Sequence, residues 1–579
     1  MKNIFLLLSF FLVFSFSQQI VVAQVSEGGI PSGWSLSTEG IPVITMPTID
    51  KKALLDEDAY EESLGLPFRF GFPHEVSIDL LKQAKKDILP GGTALFRLKI
   101  VAPEATTINL TYSDFYLPQG AKFFIYAENR SEVIGAFTSR NNKDDGLFAT
   151  GLVRGESVIL ELQVPGYLIE QTHVVIATVV HGYKDVFSSY NDWEDFGQSG
   201  SCNINVKCPE GQPWENEIRA AAMILTAGGS RLCSGAMVNN VRQDLTPYFL
   251  TANHCLISSP NTWIIMFNYQ SPTCANVDGP LNYTVSGTQT KANNSASDFA
   301  LLLLNESPPD TYYVHYAGWS AIDVPADSGV GIHHPSGDIK KISFSGQAFE
   351  HDTWSGTPAN SHWRVRWHPA GLRGVTEPGS SGSPIFDQNH RIVGQLHGGP
   401  SSCTASDKSD LYGKFSMSWN YGTTPSTRLK DWLDPDNTGT LILDGWDPSM
   451  VPPDTVAPTT ITDLQVIDPT SNSLKLMWTA PFDTTQGGVR KYTIRYSTSP
   501  ITDTVAFNNA TNIPNNLQPK APGQVETFTV AGLPFSSTFY FAIRSNDRWN
   551  NYSGVSNSPS GTTLAAPVIS VSPSSMQKV

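Results

Sequence analysis

The chain has 579 residues, of which 40% are hydrophobic and only 16% are charged, so it can build several packed domains and differs from long disordered chains. Its 53 acidic residues outnumber its 38 basic residues and give a formal net charge of −15. Because an acidic surface repels phosphate groups, this charge argues against a nucleic-acid partner. No apolar run of about 18 residues occurs after the N-terminus, so we expect no transmembrane segment.

The first 23 residues have the pattern of a secretory signal peptide. A basic start at Lys2 precedes an almost wholly apolar stretch over 4–16, and Val21 and Ala23 supply the small residues of a cleavage site. The alternative is a buried apolar helix, but position and length favour the signal. We therefore expect residues 1–23 to be removed and the protein to be secreted, to the medium or the cell surface, where disulfides persist.

Residues 24–196 begin with a polar, acidic stretch, and no firm element is predicted over 24–70. From about residue 90, apolar and polar side chains alternate between turn residues. This pattern predicts an antiparallel β-sandwich of roughly 90 residues. Its candidate strands are 96–100, 108–112, Lys122–Ala127, Val158–Val164 and His173–Val180.

All six cysteines lie between Cys202 and Cys403, and none forms a Cys-x-x-Cys pair, so a zinc ribbon is not predicted. An even number of cysteines in an exported chain predicts three disulfides, whose connectivity the spacing does not choose. Short apolar runs between turn residues predict an all-β domain over 197–447, with a helix only near its end, at Ser426–Leu433.

The C-terminal part of the chain begins with residues 448–459, a predicted proline-rich linker. Residues 460–564 alternate again in strand fashion. The step Trp478-Thr479-Ala480-Pro481 and the strand Tyr492–Tyr496 resemble a fibronectin type III module, which implies a second sandwich with no catalytic residues. Residues 565–579 form a tail.

Three segments of the cysteine-bearing region carry the candidate chemistry. An apolar strand that runs into Thr-Ala-Asn-His-Cys places His254 at a strand end. Asp298 opens a continuous apolar strand and is expected to be buried, where it needs a donor such as an imidazole N–H. Gly-Ser-Ser-Gly-Ser around Ser381 is a tight turn whose N–H groups can form an oxyanion hole. Each segment alone is more often structural, but together they predict a catalytic triad.

The order of His254, Asp298 and Ser381 resembles the chymotrypsin-like serine proteases, and more closely the secreted bacterial lysyl endopeptidases. The closer resemblance covers roughly 201–447. Its motifs include Gly200–Asn203, Cys208–Gly211, Tyr248–Cys255, His333–Pro335, Gly374–Pro384, Gly394–Cys403 and Asp431–Pro435.

This resemblance implies a chymotrypsin-like double β-barrel, between an N-terminal β-sandwich prodomain and the C-terminal fibronectin type III sandwich. It implies an oxyanion hole formed by the N–H groups of Gly379 and Ser381, and neither a cofactor nor a metal. It also implies a disulfide connectivity, namely Cys202–Cys403, Cys208–Cys274 and Cys233–Cys255.

The resemblance also bears on specificity. Val375 stands six residues before the nucleophile, where most trypsin-like enzymes have the acid of the specificity pocket. In lysyl endopeptidases the acid lies in a Ser-Asp-x-Tyr-Gly stretch, which implies that Asp410 binds the P1 cation. Asp407 and Glu377 are its rivals. The loop before Asp410 is about two residues shorter than the family's, so acceptance of Arg besides Lys stays open.

The family also stacks aromatic rings beside the catalytic histidine, and His397 and Trp354 match these positions. Packing on the imidazole would hold its orientation and exclude water. Ordinary aromatic packing is the alternative for both residues.

Together these features predict a secreted, monomeric serine endopeptidase, made as a precursor with residues 24–196 as propeptide. It would cleave proteins and peptides after basic P1 residues, Lys first. The nearest basic residue upstream of Cys202 is Lys184, so maturation falls after Lys184 or is performed by another protease. Two alternatives are a non-catalytic secreted adhesion protein on a degenerate protease scaffold and an exported esterase, which fits the triad order and the pocket acid less well.

Overall fold

The computed structural model describes residues 26–63, 68–143, 145–184, 199–256, 259–368, 374–447, 456–483, 489–513, 515, 517, 519–520, 522–547 and 551–566. The predicted signal peptide, most of the predicted linker and most of the tail lie outside the described residues. Strands far outnumber helices in the described part, so the predicted all-β fold class is confirmed. Within the same part, no helix has the length and apolar character needed to cross a membrane.

The N-terminal region forms two packed sheets around an apolar core. One sheet has the order β1-β5-β11-β7-β8, with β4 on β5, and the other has the order β10-β6-β12-β3, with β9 on β6. The elements are β1 Val43–Thr45, α1 Lys51–Ser63, β2 Phe68–Arg69, β3 Gly71–Asp79, α2 Leu80–Gln83, β4 Lys85–Ile88, β5 Thr93–Val101, β6 Thr107–Tyr116, β7 Lys122–Ala127, β8 Val133–Phe137, β9 Phe148–Ala149, β10 Val153–Arg154, β11 Ser157–Pro165 and β12 His173–Gly182.

Two expectations for this region need correction. The sandwich is built from β1 and β3 to β12, so it spans 140 residues, from Val43 to Gly182, rather than roughly 90. Helix α1 lies where no element was predicted. Its sequence has no apolar stripe, and its buried Asp58 is held from outside the helix, by ion pairs with Arg69 and Lys184.

The cysteine-bearing region folds into two β-lobes, the double arrangement that the resemblance implies. The first lobe has the sheet order β18-β17-β14-β15-β16-β20-β19, and the second has the order β13-β23-β22-β26-β27-β28-β25-β24, with β21 on β27 and β29 on β21. The elements are β13 Ile204–Asn205, α3 Glu215–Ala220, β14 Ala221–Leu225, β15 Ser230–Met237, β16 Tyr248–Ala252, β17 Ile264–Met266, β18 Thr284–Ser286, β19 Thr288–Asn294, β20 Phe299–Leu304, β21 Gly318–Ser320, β22 Gly329–His333, β23 Lys341–Ser345, β24 Glu350–Asp352, β25 His362–Arg366, β26 Pro384–Asp387, β27 Arg391–Gly398, β28 Ser409–Lys414, α4 Phe415–Asn420, α5 Lys430–Leu433 and β29 Ile442–Leu443.

The helical content of this region also differs from the prediction. Helices α3 and α4 were not predicted, and the single helix over Ser426–Leu433 is replaced by a 3₁₀ turn and the short α5. Arg428 interrupts it, because its backbone is extended. Short 3₁₀ helices occur at Ser32–Ser35, Ser139–Asn141, Gly166–Gln171, Pro209–Trp214, Asn253–Cys255, Pro260–Thr262, Asp310–Tyr312, Pro335–Gly337 and Pro425–Thr427.

The N-terminal sandwich region docks on the first lobe. Strand β2 pairs antiparallel with Ser230–Arg231 of β15 and so extends the sheet of that lobe. Ser286 Oγ donates to the carbonyl of Ala149 at 2.8 Å. Asn141 Nδ2 donates to a carboxylate oxygen of Glu306 at 2.6 Å. The described contacts therefore join backbone and polar side chains of the two regions.

The C-terminal region forms a second sandwich, with sheets β30-β31-β34 and β33-β32-β35-β36 around a core that includes the buried Trp478. Its elements are β30 Gln465–Ile467, β31 Ser473–Thr479, β32 Lys491–Ser497, α6 Thr504–Asn509, β33 Thr511–Ile513, β34 Val525–Ala531, β35 Thr538–Asn546 and β36 Ser560–Thr562.

Candidate active site

His254 and Asp298 meet at the ends of two paired strands of the first lobe. His254 lies in the 3₁₀ turn that follows β16, and Asp298 directly precedes β20, which pairs with β16. The Asp298 carboxylate accepts from the backbone N–H of His254 at 2.9 Å, and its Oδ2 lies 2.7 Å from Nδ1 of His254. Asp298 is only 2% exposed, whereas the His254 side chain is 40% exposed. The buried carboxylate can thus orient an imidazole whose other face is open to a substrate.

Ser381 lies in the turn that leads into β26 of the second lobe, and this turn packs against the His254 loop. The carbonyl of Ser381 accepts from the N–H of Ser234, and Cys255 Sγ lies 4.0 Å from the same carbonyl oxygen. Gly382 has φ +78°, and a Cβ there would come within 2.6 Å of the backbone nitrogen of Ala252. Only glycine allows this close approach of the two loops.

The two amides expected to form the oxyanion hole are available. Neither Gly379 N–H nor Ser381 N–H donates to an acceptor among the residues that the structure describes. Gly379 has φ +90°, a conformation that glycine adopts readily. Its carbonyl accepts from Ser234 Oγ at 2.9 Å, which anchors the turn to the first lobe.

A buried hydrogen-bond chain beneath the Ser381 turn was missed by the sequence analysis. Ser343 Oγ donates to the carbonyl of Val375 and lies 2.9 Å from Nε2 of His333. Nδ1 of His333 lies 2.8 Å from Oγ of Ser380, which accepts from the N–H of Glu377. Burial lowers the pKa of His333 to about 3, so it bonds here as a neutral imidazole. His333 belongs to a motif quoted for the resemblance, but nothing in the sequence links it to Ser380.

The structure brings His397 and Trp354 together with the catalytic candidates. The ring of His397 stacks on the ring of His254 with centroids 5.6 Å apart, and Trp354 stacks on His397 at 3.9 Å. His397 Nε2 also lies 3.6 Å from Oδ2 of Asp298. Burial lowers the pKa of His397. A second residue that the sequence analysis missed, His362, lies behind His397 with its Nε2 2.9 Å from His397 Nδ1.

Asp410 lies in β28 and is completely buried. Its Oδ2 accepts from Trp367 Nε1 at 2.6 Å, from Thr376 Oγ1 at 2.7 Å and from Ser401 Oγ at 2.5 Å. Its Oδ1 accepts from the N–H of Ser401 at 3.3 Å and lies beside Gly399. Burial raises the pKa of Asp410, and hydrogen bonds from Ser401, Trp367 and Thr376 counter this rise. The carboxylate has donors around it but no cationic partner among the described contacts.

The two rival acids lie in different surroundings. Asp407 is exposed and accepts from Ser409 Oγ. Glu377 accepts from the N–H of Gly200, from Asn203 Nδ2 and from Ser336 Oγ, and so fastens the start of this region to the Ser381 turn.

The described cysteines form three disulfides, with the pairs Cys202–Cys403, Cys208–Cys274 and Cys233–Cys255. The last of them fixes the residue next to His254. Because both of its cysteines are oxidised, they offer no thiolate to a metal beside His254. His254, Asp298 and His397 have ligand atoms within 4.8 Å of one another, and in this group both oxygens of Asp298 already contact His254.

Two regions of the chain match known protein families. Residues 196–413 match the sequence model of the lysyl endopeptidase C-terminal domain. This match covers 218 of the 579 residues and lies almost wholly in the cysteine-bearing region, which is similar to that domain. Residues 457–558 match the fibronectin type III domain, so both suspected resemblances are confirmed.

One curated relative and two solved structures are similar to parts of the chain. A lysyl endopeptidase of Pseudomonas aeruginosa is 30% identical over 285 residues, which are 46% of this chain and 60% of the relative. Among solved structures, the thermostable serine protease AL20 from an extremophilic microorganism matches 34% of this chain and 89% of its own, at 13% identity and a TM-score of 0.24. Kallikrein-related peptidase 10 matches 35% of this chain and 92% of its own, at 14% identity and a TM-score of 0.26. Likenesses at these TM-scores carry no conclusion about activity.

Proposed function

We propose that this protein is a secreted serine endopeptidase that uses Ser381, His254 and Asp298 as its triad. The observation that carries the proposal is the 2.7 Å contact between Nδ1 of His254 and Oδ2 of Asp298, next to a serine turn with two available amides. The match of residues 196–413 to the lysyl endopeptidase C-terminal domain supports the same reaction class.

The residues then have the following roles. Ser381 Oγ attacks the scissile carbonyl carbon, and Nε2 of His254 takes the hydroxyl proton and passes it to the leaving amine. Asp298 holds the imidazole and stabilises its cation. The N–H groups of Gly379 and Ser381 bind the developing oxyanion. Water, activated by the same imidazole, then hydrolyses the acyl-enzyme.

We further propose that Asp410 selects a basic P1 residue, with Lys preferred to Arg. Three donors already surround Oδ2 of Asp410, whereas Oδ1 accepts only from the N–H of Ser401 and keeps a lone pair for the substrate. A guanidinium binds a carboxylate best through both oxygens, whereas an ammonium needs only one. The arrangement therefore favours the point-like cation of Lys.

We propose supporting roles for the regions on either side of the cysteine-bearing region. Residues 24–196 would be a propeptide, and their contacts with β15 and with Glu306 support a role in folding the first lobe. Lys184 is buried and pairs with Asp58 at 3.0 Å, so autolysis after Lys184 would require local opening. The fibronectin type III domain would act as a spacer or bind substrates.

A fluorophosphonate probe tests the reaction class. We expect it to label the purified protein on Ser381 and to fail on Ser381→Ala. Ser383→Ala, a change of a buried serine in the same turn, is the matched control and should still be labelled. Absence of labelling in a folded wild-type protein would favour the alternative, a non-catalytic adhesion protein on a protease scaffold.

A further inference from the structure

A chain of buried and partly buried polar side chains leads from Asp298 into the second lobe. His397 Nε2 lies 3.6 Å from Oδ2 of Asp298, and His397 Nδ1 lies 2.9 Å from Nε2 of His362. His362 is fully buried at the start of β25, and burial lowers its pKa to about 4, so it is uncharged at neutral pH.

The far end of this chain fixes where the protons are. Thr357 Oγ1 lies 2.8 Å from the carbonyl of Trp354, which can only accept, so the Thr357 hydroxyl donates there. Ser361 Oγ lies 2.7 Å from Thr357 Oγ1 and must donate to it, because the Thr357 proton is already used. Ser361 Oγ therefore accepts from Nδ1–H of His362, at 2.7 Å.

The assigned donors and acceptors also determine the tautomer of His397. With its proton on Nδ1, neutral His362 has a lone pair on Nε2 and can only accept there. His397 must then donate from Nδ1, so neutral His397 carries no proton on Nε2. That unprotonated nitrogen is the one that faces Asp298.

This tautomer matters for Asp298. A proton on Nε2 of His397 would make this ring a second donor to Oδ2, after a small rotation that closes the 3.6 Å gap. A His397 ring protonated at Nε2 would then compete with His254 for the negative charge of Oδ2 of Asp298. A carboxylate shared between two donors stabilises the imidazolium of His254 less in the transition state.

We propose that His362 is a positioning residue, which accepts the Nδ1 proton of His397 and thereby reserves the Asp298 carboxylate for His254. The kinetic part of this proposal rests on the proposed function, but the tautomer does not. His362 acts through His397 and does not touch the reacting atoms.

The tautomer is measured by ¹⁵N NMR of the protein labelled at its histidine rings, with His397→Gln used to assign the signal. We expect His397 Nδ1 to be protonated and Nε2 to be bare in the wild type at neutral pH. In His362→Phe the acceptor is lost, and we expect the proton to move toward Nε2. A proton on Nε2 of His397 in the wild type would overturn the proposal.

Kinetics on the same variants provide the second test. We expect His362→Phe to lose roughly tenfold in kcat with KM little changed, because substrate contacts are retained. His362→Gln should recover most of this loss, since its amide oxygen can accept from His397 Nδ1. His315→Phe is the matched control, because His315 is also buried but belongs to no part of this chain of hydrogen bonds.

The outcomes separate the two proposals. A folded His362→Phe with wild-type kcat, or equal losses in the Phe and Gln variants, would overturn the role of His362. A wild-type protein without peptidase activity would refute the proposed function, while the ring signals of His397 would still decide the tautomer.

Discussion

Asp298 contacts His254 through both of its carboxylate oxygens, one on the backbone N–H at 2.9 Å and one on Nδ1 at 2.7 Å. The first contact fixes the loop and the second fixes the ring. Since the carboxylate is buried and faces the exposed side chain of His254, it sets the tautomer that leaves Nε2 free to act as a base.

Asp298→Asn should therefore lower kcat by roughly 10³–10⁴-fold, because the amide can donate to His254 Nδ1 and favour the wrong tautomer. The measurement is kcat on a Lys ester, with thermal unfolding to confirm the fold. Asp310→Asn, at an exposed aspartate, is the control and should leave kcat unchanged. A loss of less than tenfold in the Asp298 variant would contradict the role given to this residue.

Asp410→Asn keeps the shape of the pocket and removes its charge. We expect kcat/KM for a Lys ester to fall by roughly 10²–10⁴-fold, the effect of breaking a buried ion pair, and kcat/KM for a norleucine ester to change much less. Asp407→Asn is the matched control at an exposed carboxylate. If the Asp410 variant keeps the native preference for Lys, the pocket acid lies elsewhere, and Glu377 is the next residue to test.

The raised pKa of Glu306 predicts that docking of the N-terminal region on the first lobe depends on pH. Burial raises the pKa of Glu306 to about 7, although Arg140, Lys143 and the hydrogen bond from Asn141 counter the rise. The folded state thus binds a proton that the unfolded chain releases near its ordinary value of 4.5. The contribution of Glu306 to the free energy of unfolding is therefore largest below pH 4.5 and is lost as the pH rises toward about 7.

The test compares the unfolding temperature of the wild type and Glu306→Gln at about pH 5 and about pH 7, which spans the rise from the ordinary pKa of Glu306 to its raised value. Because the glutamine stays neutral, we expect the wild type to lose stability relative to the variant as the pH rises. Lys143, whose pKa burial lowers to about 8, stays protonated up to pH 7, so it adds little to the slope there. An equal difference between the two proteins at both pH values would contradict the account.

Local patterns predicted much of the fold. The short apolar run over Lys122–Ala127 predicted a strand with the bounds that the structure shows, because such a run is a property of neighbouring residues. Helix α1 was missed because its Asp58 pairs with residues outside the helix, Arg69 and the distant Lys184, and not with a pattern inside the helix. The break at Arg428 was missed because a proline turn replaces the first part of the predicted helix.

The residues of the candidate site also differ in whether the sequence could predict them. The motifs around His254 and Ser381 are local and could be read from the sequence. The partners beneath them could not, since His333 lies 47 residues from Ser380 and His362 lies 35 residues from His397. A single buried histidine has many possible partners, and only the fold chooses one.

The turnover of Ser381→Ala tests the central claim most directly. We expect kcat on a Lys ester to fall by at least about 10³-fold, because only binding and oxyanion stabilisation remain when the nucleophile is removed. The three disulfides and an unchanged unfolding temperature would show that the fold survives. A correctly folded Ser381→Ala protein that turns over the ester at near the wild-type rate would contradict the account.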